Sequence, residues 1–297
     1  MTGVQTCALP IFLFVLLWST GFIGVKYGIP YAPPFTFVAL RMLIAAPLLA
    51  LIAIMVNKRF EITRAIFIQS SAIGLTLHAA YLGGCFYAVS RGLPAGIVAL
   101  IVSVQPVMVS VFAAVFLKEE LSSRKIAGLL LGLLGLVIVL APRITTNSDI
   151  SWIALTGCVI ALIGGTSGTI LQKRFGSALP VLSSTSIQYA MTAFSIGALA
   201  LASENVSVTW DPRFVFSLVW LIVVLSVGAI LLLFYLLRDG SAASVSSYYY
   251  LVPPVTAIEA YFLFGEKVSM YGFIGTLITV VGVWLVVAQR SSGAQSL

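Results

Sequence analysis

Residues 147 positions apart carry the same landmarks over nearly half of this chain, and that offset limits its fold more than any other feature. Arg91, Ala95, Pro106, Glu119, Ser122, Gly128 and Gly135 return as Arg238, Ala242, Pro253, Glu266, Ser269, Gly275 and Gly282. Carried backwards, the same frame matches Gly21 with Gly168, Lys26 with Lys173 and Pro33 with Pro180, and no gap is needed. Gly, Ala and Leu coincide easily in apolar sequence; Pro, Glu, Arg and Lys at one offset do not. The chain is read as two copies of one unit.

The solvent of that unit is lipid. Of 297 residues, 60% are hydrophobic and 8% charged, whereas a soluble domain carries about 25% charged residues. Mean hydropathy is +1.12. Ten apolar runs reach the roughly 17–25 residues a bilayer-spanning helix needs: 10–28, 35–56, 65–89, 94–117, 123–141, 150–172, 181–202, 214–237, 242–264 and 270–288. Backbone groups in hydrocarbon must bond within their own segment, so these runs are helices. A β-barrel would need alternating runs of about ten residues, which are absent.

Net charge is +7, but the basic residues sit singly in connections, so they read as topology signals and not as a nucleic-acid surface. One side of the membrane receives ten Lys and Arg, including Lys58, Arg59, Arg124 and Lys125; the other receives five, Lys26, Arg91, Arg143, Arg213 and Lys267. The richer side also holds both termini, which makes both cytoplasmic. Each copy has five spans, an odd number, so the second must insert upside down relative to the first. That is the inverted-repeat plan of secondary transporters, with a substrate site near the midplane. The expected units are residues 12–144 and 145–290. Residues 291–297 form a tail. Met1–Pro10 lacks the basic start of a signal peptide, and the run from Gly3 to Ile11 resembles translated adapter sequence, so residues 1–11 are set aside as non-native or unstructured.

Pro106 and Pro253 fall near the middle of matched spans, and each removes a backbone donor. They read either as packing kinks or as paired hinges that shape a central cavity. Polar groups gather at both: Ser103 and Gln105 beside the first, Tyr248, Tyr249 and Tyr250 before the second. Three consecutive residues cover about 200° of a helix, so at least one tyrosine faces inward. Lys26, Arg41, His78 and Glu259 are ionisable groups in or near spans, where charge is costly and turned inward. Lys26 lies near a helix end and can snorkel. Arg41 and Glu259 share a depth and have opposite charge, which suggests an ion pair at an outer gate or a structural pair. His78, the only histidine, either carries a coupling proton or bonds a neighbouring helix. Trp18, Ser19, Thr20 and Gln172 are weaker lining candidates. Gly128, Gly132, Gly135, Gly275 and Gly282 let helices 5 and 10 approach closely, as packing or as a dimer face.

Catalysis has no support in the sequence. There is no Gly-Lys-Ser/Thr phosphate loop, Asp149, Asp211 and Asp239 all lie in connections, and a single histidine cannot supply a metal-binding pair. Cys7, Cys85 and Cys158 have no paired spacing, so neither a disulfide framework nor a metal or cofactor site is expected.

From about Leu13 onwards the chain resembles the EamA-type drug/metabolite transporter superfamily. The resemblance rests on Trp18-Ser-Thr-Gly21 with Lys26, on Pro34 to Arg41, and on the series Ala95…Pro106…Glu119 with its echo Ala242…Pro253…Gly265-Glu266-Lys267. It implies an all-α membrane protein of ten helices in two inverted five-helix repeats, in the inner membrane, commonly exporting amino acids, metabolites or drugs. It further implies that helices 3, 4, 8 and 9 wall the cavity, that helices 5 and 10 are peripheral, and that Glu119 and Glu266 are turn residues. Lys118 stands where the second copy has Gly265. The expected function is secondary transport of a small organic solute, outward, by alternating access. The expected contacts are His78, Tyr81, Ser103, Gln105, Tyr235, Tyr248 and Glu259. Proton antiport and facilitated diffusion both stay open, as do monomer and homodimer. A lipid-carrier flippase or flippase subunit is the alternative within the architecture; a non-transporting membrane scaffold, with a solid Leu/Phe core, is the alternative outside it.

Overall fold

The computed structural model describes residues 5–93, 98, 101–102, 104–144, 152–264 and 270–287, and among them regular structure is entirely helical. In chain order the helices are α1 (Gln5–Gly28), α2 (Pro34–Asn57), α3 (Arg64–Ser90), α4 (Gln105–Phe116), α5 (Ser123–Ile144), α6 (Trp152–Phe175), α7 (Val181–Ser203) and α8 (Pro212–Arg238). The next, α9, starts as Ala242–Ser247, tightens to a 3₁₀ turn at Tyr248–Leu251 and continues as Val252–Phe264; α10 is Met270–Val287. Six of the helices, α1, α2, α3, α6, α7 and α8, are long and apolar enough to cross a membrane. Large apolar side chains such as Leu51, Phe194, Leu201, Phe262 and Trp284 are exposed on the outer faces, as lipid requires. This is a multi-pass membrane protein. Helix α1 begins at Gln5, ahead of the residue-12 boundary expected from sequence.

Local signals account for the helix ends. Pro33 and Pro180, one repeat apart, precede α2 and α7. Thr63 accepts from the Ile66 amide at the start of α3. Asp211 accepts from Arg213 N at 2.8 Å, with Pro212 in the first turn of α8. The repeated Ser122 accepts from Lys125 N and so caps α5.

Two matched pairs, α5 with α10 and α2 with α7, pack antiparallel. In α5 and α10 a Cβ on Gly128 would stand 2.7 Å from the Gly282 carbonyl, and one on Gly135 2.6 Å from the Gly275 carbonyl. The glycines are therefore consumed within the chain, which removes them as a dimer face. In α2 and α7, Ser186 Oγ donates to the Ala46 carbonyl at 2.8 Å. Glu204, beyond the end of α7, accepts from the Phe35 and Thr36 amides at the start of α2. Across the repeats, a Cβ on Gly157 of α6 would lie 2.7 Å from the Gly84 carbonyl of α3, and one on Gly168 2.5 Å from Leu77. Lipid gives no hydrophobic drive for such contacts, so close backbone approach carries the association.

Helices α3 and α8 each contain a π-helical stretch, Gly74–Ala80 and Leu221–Ala229. The two begin one repeat offset apart. Hydroxyls of α7 bond to a carbonyl in each: Thr192 Oγ1 to Gly74, and the Tyr189 hydroxyl to Ser226.

The break between α8 and α9 is held from both sides. Lys173 Nζ donates to the carbonyls of Leu237 (2.8 Å) and Gly240 at the C-terminal end of α8. Glu119 Oε1 accepts from Ala242 N at 2.9 Å, at the N-terminal end of α9. Cation at a helix C-terminus and anion at an N-terminus is the arrangement the helix dipole favours. Glu119 is thus a turn residue of one copy that caps a helix of the other. Lys118 before it has φ +55°, a left-handed conformation that glycine adopts at less cost.

Candidate functional site

A buried polar centre lies where α1, α2, α3, α7 and α8 converge. Arg41 of α2, 6% exposed, donates from Nε to Ser226 Oγ of α8 at 2.8 Å. The Tyr189 hydroxyl takes the Ser226 carbonyl from the α7 side. His78, in the π stretch of α3, meets the Tyr189 ring edge-on at 4.8 Å between centroids. Its Nε2 lies 3.1 Å from Gln188 Oε1, and Gln188 Nε2 donates to Gln172 Oε1 at 3.4 Å. Arg41 and Gln188 are matched positions of the repeat, each packed towards the π stretch of the other copy.

Two cavities flank this centre. The first, about 70 Å³, is lined by Trp18, Gly21 and Val25 of α1, Arg41, residues of α3 from Leu77 and His78 through Tyr81 and Cys85 to Val89, Tyr189, and Leu225 and Ile230. That is room for a few waters or a small polar group. The second, about 320 Å³, is lined by Gln172, Lys173 and Ser177 of α6 and its turn, Val181 and Ser184 of α7, and Leu231 to Arg238 of α8. The first follows the C-terminal half of α3, the second the C-terminal ends of α6 and α8. Because α3 runs antiparallel to α6, the cavities lie towards opposite ends of the bundle. Val25 and Gln172, matched positions, each line one of them.

The sequence-based candidates divide. His78 and Tyr81 line the first cavity, and the Tyr81 hydroxyl faces Trp18 and Tyr249. Tyr235 lies in the second cavity, half-exposed, with the Arg238 guanidinium 5.5 Å from its ring centroid. Gln105 is buried on α4 and donates to Thr169 Oγ1 of α6 at 3.3 Å. Tyr248 is buried in the apolar core. Tyr249 packs on Phe14 and Trp18 at 5.7 and 5.4 Å, and Tyr250 on Gly132; all three tyrosines therefore face inward. Ser103 and the Lys26 side chain lie outside the described residues.

Arg41 and Glu259 are not joined to each other. Glu259 accepts from Ser19 Oγ at 2.6 Å, while Arg41 is taken by Ser226. Equal depth says nothing about which way around a helix a side chain points. The prolines also differ from expectation. Pro106 lies in the first turn of α4, after a turn at Val104, and Pro253 is the second residue after the 3₁₀ stretch. Each lies where helical winding changes, at the turn of Val104 and after the 3₁₀ stretch Tyr248–Leu251. Among the described residues the walls of these two cavities come from α1, α2, α3, α6, α7 and α8, so α3 and α8 are common to them and the expected set. Among the described residues Cys85 and Cys158 are unpaired, and no cluster suited to a metal occurs.

Gln188, Tyr189 and Ser226 were not anticipated. For Gln188 and Tyr189 the signal is the buried polar run Ser183-Ser-Thr-Ser-Ile-Gln188-Tyr189 in the first turns of α7; Ser226 stands alone in an apolar stretch of α8.

The EamA-like transporter family matches the chain twice, over residues 5–141 and 151–288. The chain belongs to that family. Similar proteins include the uncharacterized transporter YvbV of Bacillus subtilis, 27% identical, with 94% of this chain and 90% of the relative covered. A probable amino-acid metabolite efflux pump of Escherichia coli is 25% identical, with 92% of each chain covered. A solved crystal structure, 20% identical, superposes with a TM-score of 0.79 over 97% of this chain and 99% of its own, which shows a shared fold.

Proposed function

We propose that the chain is a secondary transporter that moves a small organic solute out of the cell by alternating access between two inverted five-helix repeats. The supporting observation is the pair of cavities at opposite ends, separated by the bridge His78–Gln188–Gln172. One matched pair, Val25 and Gln172, lines the two, and exchanging the conformations of the repeats would close one cavity and open the other. The reading takes residues 12–144 and 145–290 as the repeats, with ten spans, both termini cytoplasmic and an inner-membrane location. The buried polar centre speaks against a scaffold with a solid greasy core.

The test is uptake and efflux in proteoliposomes against a metabolite panel, with and without a pH gradient. Gradient-driven movement of at least one solute is expected, and no movement of any solute defeats the reading. His78 is the proposed proton carrier. In His78→Ala the gradient should no longer accelerate transport; unchanged acceleration assigns coupling elsewhere.

A further inference from the structure

Arg41 brings a charge into the first cavity that no described residue beside it balances. Only its Nε has a partner, and that partner is the neutral hydroxyl of Ser226. Among the described residues the Nη groups take no protein acceptor, and no carboxylate lines the cavity. Glu259, the carboxylate on α9, lies outside the lining, with Oε1 on Ser19 and Oε2 buried without a partner among the described residues. A guanidinium held inside a membrane protein without a counter-charge is costly, and its planar fork fits a carboxylate held by two parallel bonds.

The remainder of the cavity has the opposite character. Tyr81, Cys85 and Val89 recur every four residues along α3 and form one stripe above His78. Trp18 and Val25 of α1 face it across the cavity. Among its described lining residues the cavity thus has a cationic floor and an apolar aisle, with no acidic group to receive an ammonium.

We infer that the transported solute is an organic monocarboxylate with an uncharged, largely apolar remainder. Its carboxylate accepts from the Arg41 Nη groups; the 70 Å³ present here holds little more than that group, so the remainder takes the α3 stripe as the aisle widens in the transport cycle. This assignment rests on the transport reading and narrows its substrate class. Neutral, cationic and zwitterionic solutes of the same shape are excluded by an unanswered guanidinium or an unanswered ammonium.

The test keeps the protein constant and varies the ligand. Equilibrium binding to the purified full-length chain is measured for 3-phenylpropionate, 3-phenylpropionamide, 3-phenylpropylamine, phenylalanine and chloride. The carboxylate should bind at least roughly tenfold more tightly than each of the others. Arg41→Gln should remove that preference and Arg41→Lys should keep part of it; if the glutamine variant does not fold, the wild-type comparison decides alone. Equal or tighter binding of the amide, the amine, phenylalanine or chloride overturns the assignment, and so does binding of none of the five. Transport of other solutes by the wild-type chain in proteoliposomes would then leave the transporter reading standing without the carboxylate.

Discussion

The two repeats share a skeleton and differ in chemistry. Their glycine contacts, the prolines before α2 and α7, and the onset of their π stretches coincide at one offset. The side chains that face the cavities do not: Arg41 is matched by Gln188, His78 by Leu225, Trp18 by Gly165 and Val25 by Gln172. Duplication therefore fixed where helices touch, while divergence placed cation, imidazole and indole in one copy. The first cavity is walled mainly by the first repeat, the second by the second alone, so equivalent chambers need not hold the same part of a solute.

The shared skeleton should be the less tolerant layer. Gly128→Val, facing the Gly282 carbonyl, is expected to cost about 3 kcal/mol or more and to remove monodisperse protein from size-exclusion profiles. Gly197→Ala, whose nearest new neighbour is Ala39 at 3.8 Å, should leave the profile unchanged. Similar losses at both positions would mean that close matched contacts do not hold the halves together.

The divergent layer should affect transport first. Arg41→Gln is expected to lower transport roughly tenfold to a hundredfold with folding retained. Adding Gln188→Arg, which moves the guanidinium to the matched position, should not restore it. Rescue by the double variant would show the two halves to be interchangeable. The charge exchange Arg41→Glu with Glu259→Arg should likewise fail to rescue, since neither group bonds the other.

Contacts that cross the repeats should have intermediate effects. Glu119→Ala leaves the Ala242 amide without its acceptor, and a thermal-stability loss of about 1 kcal/mol is expected. The smallest change belongs to Lys118→Gly, which relieves a left-handed lysine and should raise stability by about 0.5 kcal/mol. A loss there would mean that the lysine side chain outweighs its backbone.

Much of the fold was legible because its signals are one-dimensional. Gly128, Gly135, Gly275 and Gly282 announced the α5–α10 contact, and the 147-residue offset announced the matched prolines before α2 and α7. The site was legible only where a residue was rare for its surroundings, as with His78 and Arg41. Ser226 and Tyr189 belong to common types, and their roles depend on π turns that carry no propensity signal. Tyr235 and Tyr248 went to other places because the 3₁₀ stretch and the face of α8 decide direction, which spacing alone does not report.

A helix wound wide over seven residues carries a spare residue. Removing one amino acid inside Gly74–Ala80 lets α3 close to ordinary pitch while both flanks keep their neighbours. The same deletion one turn later would swing Cys85 and Val89 by about 100° out of the cavity wall. Length variation in α3 therefore has one safe address, and it lies beside the histidine.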